Sequence, residues 1–356
     1  DTGGNTLTFA DAFTSTKIIS MNTGILSTDY SVTCSAVTVP SGTTLYMGDG
    51  TWTLTGYNAT IWNAGGTVYG EGSTIRTTDA GAYTDNMWMG SNTYNDILIT
   101  PGVGGTIKYS GAFTFHDMEL TTAGEKTIQF PGNTTITMTG NHFFDQNSTT
   151  SIGTEKFSNG DFSTDTWSKS NGTWAVTGGK AVATNASGST IYQAVNPTAG
   201  EMYLVGFTLD SISSGYVNPT VGLVTGQNRT AAGTYKNVIT TTAGSVNAGF
   251  NASSTATNAT MDDVSCKKLT GFASVKSSTL GTQFTLSKTS GVVSAKGCAL
   301  MDCYTTGGAT FYAGSNSIDV SNNSGWTWSD PPSNNAIAAI IKQLTLDGSP
   351  FAGNIQ

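Results

Sequence analysis

Between residues 43 and 140 the chain restates one coarse unit. TTLYMGDGTWTLTG, GTVYGEGSTIRTTD, NDILITPGVGGTIKYSG, FHDMELTTAGEKTIQFPG and NTTITMTG each carry short runs, alternating or wholly apolar, broken by Gly or Asn. Two stretches align residue for residue: YNDILIT at 94–100 and FHDMELT at 115–121 both run aromatic, polar, Asp, then hydrophobics, 21 residues apart. A unit of that size cannot bury its apolar face alone, but stacked copies can, and the period matches one coil of a parallel β-helix. An ordinary antiparallel sandwich is the alternative. Leu, Lys and Glu are scarce, Thr, Ser and Asn abound, and only 11% of residues are charged, so either solution is all-β.

The style changes at EKFSNGDFSTDTWSKSNGTWAVTGGKAVAT, where Phe157, Phe162, Trp167, Trp174 and Val176 fall on short strands of a new unit that closes with ATMDDVSCKKL. Strands at regular intervals with Gly, Asn and Ser turns read as a β-sandwich. After Leu269 the earlier style resumes. The organisation expected is a β-helix over 1–153, an inserted domain over 154–268, closing coils and cap over 269–330, and a tail over 331–356. In the tail, Ile337, Ile340, Ile341 and Leu344 share one helical stripe behind the N-cap candidates Ser333, Asn334 and Asn335, which predicts a short amphipathic helix.

A net charge of −8 and a pI near 4.6 argue against a phosphate-backbone partner. No apolar run approaches the roughly 20 residues of a membrane helix, and no signal peptide is recognised. The chain begins at Asp1 rather than Met, as a processed chain or a fragment would. Cys34, Cys266, Cys298 and Cys303 have neither metal-site spacing nor the density of a disulfide scaffold, so buried free thiols are expected.

SVKSSTLGTQFTLSKTSGVVSAKGCALMDC, followed by GGATFYAGSNSIDVSNNSGWTW, resembles the closing coils of repetitive β-rich proteins of bacteriophage virions and bacterial surfaces. GDGTWTLTG, WNAGGTVYGEGSTI, TYNDILIT and KTIQFPGNTTITMTG resemble the earlier coils of the same family. The departure is the stretch 154–268, where relatives pass directly from coil to coil. FSNGDFSTDTWS, WAVTGGKAVAT, YQAVNPTAGEMYLVGFTL and ATMDDVSCKKL make that stretch similar to a carbohydrate-binding, galactose-binding-like jelly roll. The resemblance implies an all-β chain: a parallel β-helix interrupted by an inserted jelly roll, with a short C-terminal helix.

Catalysis needs an activated nucleophile, two placed carboxylates or a metal with an open position. His116 and His142 lie in different coils without a recognisable motif and read as surface or turn residues. Asp96 and Asp117, at equivalent places in related coils, could stack as the carboxylate pair of a glycoside hydrolase; the alternative is that each caps a turn. In jelly rolls of the resembled type a structural calcium often joins the first and last strands, which makes Asp161, Asp262 and Asp263 its candidate ligands. No other cofactor is implied. Sugar binding needs flat aromatic faces with amides and hydroxyls beside them, and Tyr192, Gln193, Tyr203, Tyr216, Asn218 and Tyr235 are the candidates. Trp167 and Trp174 fall at core positions of the resembled pattern.

In the stretch from Gly307, the two glycines permit a tight turn, Phe311 and Tyr312 pack into a coil, Asn322 and Asn323 satisfy backbone groups, and Trp326 and Trp328 close the apolar end. The function expected is that of a non-enzymatic structural and adhesion protein of a virion surface or extracellular appendage. It would be homo-oligomeric, with a trimer favoured as in phage fibres, beside other virion or appendage proteins and attached to cell-surface glycans. Two alternatives stand: a purely structural decoration or filament subunit, and a polysaccharide depolymerase.

Overall fold

The structure, a computed structural model, describes residues 6–78, 84–100, 105–120, 126–145, 150–242, 244–253 and 255–332. The tail positions read as a helix, Ser333 to Leu344, lie outside the described residues.

Alternation within each short run decides the fold. In Thr51–Leu54, Trp52 and Leu54 are fully buried and the two threonines face outward; Asp96–Ile99 buries Ile97 and Ile99 in the same way. Each run is too short to stand alone, so it pairs with its counterpart one coil away. The result is a parallel β-solenoid of three long faces. One face runs from Phe13–Thr14 through Asp96–Ile99 and Met118–Leu120 to Trp326–Thr327. A second runs from Ile18–Ser20 to Ile318–Ser321, and a third consists of two four-stranded stretches joined through bridges from Tyr69 to Thr93 and from Thr93 to Thr114. Ile97 pairs with Met118 and Leu98 with Glu119, the register that the 21-residue repeat predicts.

The solenoid interior is an aromatic spine along the axis. Trp52 meets Trp62 edge-on, Trp62 meets Tyr94, Tyr94 meets Phe113, and Phe130 stacks with Tyr109 at 5.2 Å before touching Phe284 at 4.8 Å. Such pairs add about 0.5–1.5 kcal/mol each beyond the burial itself. Two polar tips inside the spine find partners: Trp62 Nε1 donates to Tyr94 Oη at 3.2 Å, and Tyr94 Oη donates to the Met89 carbonyl at 2.7 Å.

The second unit consists of two antiparallel sheets. One contains Trp174–Thr177, Lys180–Ala186, Thr257–Thr270, Met202–Ser214 and Gly233–Thr240, with Ser151–Glu155 paired to Thr257–Thr270; the other contains Ser168–Lys169, Thr190–Ala194, Asn247–Ala252, Val217–Val221 and Val224–Thr225. Phe157, Phe162, Trp167 and Trp174 are buried between them with Phe207 and Phe250. The solenoid ladder does not break where this unit enters: Lys126–Phe130 pairs directly with Ala273–Ser277, and Thr135–Met138 with Phe284–Ser287. The two ends of the sandwich are clasped by the pairing of Ser151 with Thr270. Its flank rests on the solenoid through Met202, Leu269, Phe272, Ala299, Met301, Ile318 and Val320, an apolar cluster separate from both cores.

The closing stretch behaves as expected in part. Gly307 has φ +104°, and a Cβ there would overlap the Lys288 carbonyl of the preceding coil. Asn322 donates to Asp302 and to the Gly281 carbonyl, while Asn323 donates to the Leu300 carbonyl and accepts from the Cys303 amide. Trp326 packs edge-on against Phe311 at 5.6 Å. Trp328 does not join it: it lies one residue past the last strand, which ends at Thr327, and is 36% exposed. All four cysteines are buried.

Candidate functional site

The solenoid brings Asp96, His116 and Asp117 together. Asp96 opens the strand Asp96–Ile99 on its outward side, and Asp117 precedes the strand Met118–Leu120 one coil on. Backbone bonds lock the two turns: the Ile97 amide donates to the Asp117 carbonyl at 2.9 Å, and the His116 amide donates to the Asn95 carbonyl at 2.8 Å. His116 Nδ1 then lies 3.1 Å from Asp96 Oδ1 and 3.3 Å from Asp117 Oδ2. The ligand atoms of the three side chains all fall within 4.8 Å of one another, the single such group of three among the described residues.

The two carboxylates are not equivalent. Asp117 is only 16% exposed, and its Oδ1 accepts the His142 amide at 2.8 Å, so it ties its turn to the following coil. Asp96 is 41% and His116 48% exposed, and solvent reaches both. Neither aspartate caps merely its own turn. With its proton on Nδ1, His116 donates to both carboxylates; chemically the trio could relay a proton or offer three ligands to a divalent cation. As an exposed ion pair it adds about 0–1 kcal/mol of stability.

The sandwich distributes its predicted residues differently. Tyr203 is buried, its hydroxyl donating to Glu201 Oε2 at 2.7 Å, and Lys268 bonds the other oxygen of that carboxylate at 2.7 Å. Burial alone would raise the Glu201 pKa, but the bonds from Lys268, the Thr198 amide and Tyr203 outweigh it and hold the group below its ordinary value. Tyr235 packs on Phe207 and is covered by the Arg229 guanidinium 4.4 Å from its ring centre, so that face is closed to a sugar. Asn218 is buried in a side-chain track: Thr190 donates to Asn251, Asn251 to Asn218, and Asn218 to Asn228. Gln193 is spent on Ser158, accepting from its amide and donating to its carbonyl. Tyr192 and Tyr216 are part-exposed, and among the described residues no ring or hydroxyl contact of the kind seen at Tyr203 and Tyr235 covers them.

The candidate calcium ligands do not converge into a group of carboxylates within one cation's reach. Asp161 is exposed, and the Ser163 amide and hydroxyl acting on it lower its pKa. Asp262 turns toward Lys180, 3.6 Å away, and Lys180 is bonded to Asp210. Asp263 is exposed at a bulge within the strand Thr257–Thr270, with a left-handed φ of 50°.

The most exposed aromatics lie on the solenoid, where the composition of the coils hides them among core aromatics. Trp88 is 54% exposed beside a shallow groove of about 490 Å³ that includes Thr67, Ser91 and Asn92, while Tyr46 and Tyr69 stack at 4.7 Å on another face. Strand parity was the signal: Trp88 follows the buried Met87 and therefore points out.

No family model matches the chain, and no curated protein does. Among solved structures, the enzymatically active domain of a tailspike protein, tailspike protein 4 of bacteriophage CBA120, is similar over 71% of this chain and 55% of that one, with 10% identity and a TM-score of 0.25. This chain therefore spans about half the length of that neighbour. A likeness of that depth carries no function across.

Proposed function

We propose that the chain is a non-enzymatic structural and adhesion protein of a virion surface or extracellular appendage, in which the solenoid is a shaft and the two-sheet insert is a jelly-roll module for attachment to host-surface glycans. The observation that carries this reading is the splice: a complete antiparallel sandwich leaves and re-enters between two coils that remain hydrogen-bonded to each other. A unit held that way is displayed sideways without weakening the shaft. Part-exposed Tyr192 and Tyr216 on the insert and Trp88 on the shaft are the stacking faces such attachment would use. Shallow sites of this kind gain avidity from repetition, which favours a homo-oligomer, with a trimer expected.

A glycan array probed with the full chain tests it. The expected result is binding to a subset of surface polysaccharides, lost in Tyr192→Ala with Tyr216→Ala or in Trp88→Ala, whichever face is used. A blank array together with a monomeric mass by light scattering overturns it.

The convergence of Asp96, His116 and Asp117 supports a second reading, a depolymerase. Oxygens within 4.8 Å leave too little room for the water of an inverting hydrolase, so the reaction would be of the retaining kind. Asp96→Asn is expected to abolish release of oligosaccharide from a susceptible capsule while changing stability by less than about 1 kcal/mol. Unchanged release in that variant removes the reading.

A further inference from the structure

A cavity of about 190 Å³ lies where the open edge of the sandwich meets the outward face of the solenoid. Its floor is a ladder of rungs from successive coils, Gln129 beside Lys276 and Lys276 beside Met301. Its far wall comes from the two edge strands of the sandwich, Val224–Thr225 with the following Gly226 and Gln227, and Gly233–Thr240 through Asn237. Floor and wall belong to different units, so the cavity exists only while the sandwich is seated.

One donor there is buried with nothing to donate to, and a cation stands beside it. Lys276 is the single charged side chain of the lining, and its ammonium has no hydrogen bond or ion pair among the described residues. Asn237 is 3% exposed; its Oδ1 accepts the Gln227 amide at 3.0 Å, but its Nδ2 is buried without a partner. An unmet buried donor costs about 1–3 kcal/mol, which a fold retains only against some return. The carboxylate whose charge reaches Lys276 is Asp302, and it is already engaged: Asn322 takes one oxygen at 2.7 Å and the Gly281 amide the other at 3.0 Å. Burial lowers the pKa of Lys276, and Asp302 offsets this only in part. No lining residue is acidic, and the remaining polar groups are the amides of Gln129 and Gln227 and threonine hydroxyls above an apolar edge of Val224, Val238 and Met301.

We propose that this cleft binds one carboxylate-bearing sugar ring of the uronic-acid type, with the Lys276 ammonium against the carboxylate and the amides of Asn237 and Gln129 against its oxygens. The volume falls below the ~300 Å³ at which drug-sized sites begin, in keeping with a single ring. That the ligand is an anion follows from the cleft itself; that a sugar carries it rests on the attachment reading above.

Titration calorimetry on the full chain tests the proposal with D-glucuronate and D-galacturonate, D-glucose as the neutral control, and a short oligouronide. Saturable binding of a uronate but not of glucose is expected, weakened about tenfold or more by Lys276→Met and also by Gln129→Glu, which supplies a competing carboxylate on the solenoid face. The second variant guards against loss of the sandwich's seat in the first. An oligouronide that binds as well as the monomer identifies a residue within a chain; a monomer that binds alone identifies a free acid. No uronate binding, or affinity unchanged in both variants, overturns the proposal. A chain positive on a glycan array but silent here loses the cleft and keeps the attachment reading; uronate binding with a blank array does the reverse.

Discussion

Asp117 depends on what is missing from Gly140. A Cβ at that glycine would overlap the Asp117 carboxylate and the His116 carbonyl together, so Gly140→Ala is expected to cost about 1–3 kcal/mol and to expel Asp117 from its bond with the His142 amide. Thermal unfolding reads the loss, and the His116 ring resonances read the departure of its partner. The thiols make a second point at this scale. Burial pushes Cys34, Cys266 and Cys303 from 9.0 up to about 12, with Glu155 adding to the effect at Cys266. An unfolded thiol ionises near 9.0, so the stability these groups contribute is complete below that pH and is lost as pH rises toward about 12. The urea midpoint should therefore fall across that interval, and the fall should be shallower when the three cysteines are replaced by alanine. Native chains are expected to show no thiol that reacts quickly with a disulfide reagent, since all four are buried.

Among elements, the aromatic spine decides how well the coils hold together. Phe130 touches Tyr109 and Phe113 from the preceding coil and Phe143 and Phe284 from the following one. Phe130→Ala is expected to cost about 3–5 kcal/mol, measured by chemical unfolding, whereas Trp88→Ala on the same face of the solenoid should cost under about 1 kcal/mol because its ring already stands in water. The elements were also the most legible part of the sequence. Alternation over four residues and a 21-residue period suffice to pair Ile97 with Met118, and that pairing alone puts Asp96 and Asp117 on one side of neighbouring coils. His116 was not legible: its contact with Asp96 depends on rotamers across a coil boundary, which no spacing encodes. Tyr203 and Tyr235 look like sugar platforms in the text, yet the parity of their strands turns them inward, toward Glu201 and under Arg229. Asn237 and Lys276 meet at a junction of two units 39 positions apart in sequence, beyond the reach of any local pattern.

For the whole molecule, the sandwich carries its own buried core, from Phe157 to Cys266, and shares only a small apolar patch with the solenoid. Residues 151–270 expressed alone are expected to unfold cooperatively, with the midpoint raised further when Met202 and Leu269, freed of their cover, are made polar; calorimetry would detect a second transition of the same kind in the intact chain. The clasp at Ser151 and Thr270 has a mechanical consequence. Tension applied along the solenoid axis passes from Lys126–Phe130 straight into Ala273–Ser277, and the sandwich hangs beside that load path as a pendant whose two attachment points barely separate. A pull delivered through something gripped by the sandwich instead reaches the ladder only by way of the clasp and the small apolar patch beneath it. The insert would thus lift from its seat before the coils part, as a line tied to a mast slips before the mast gives.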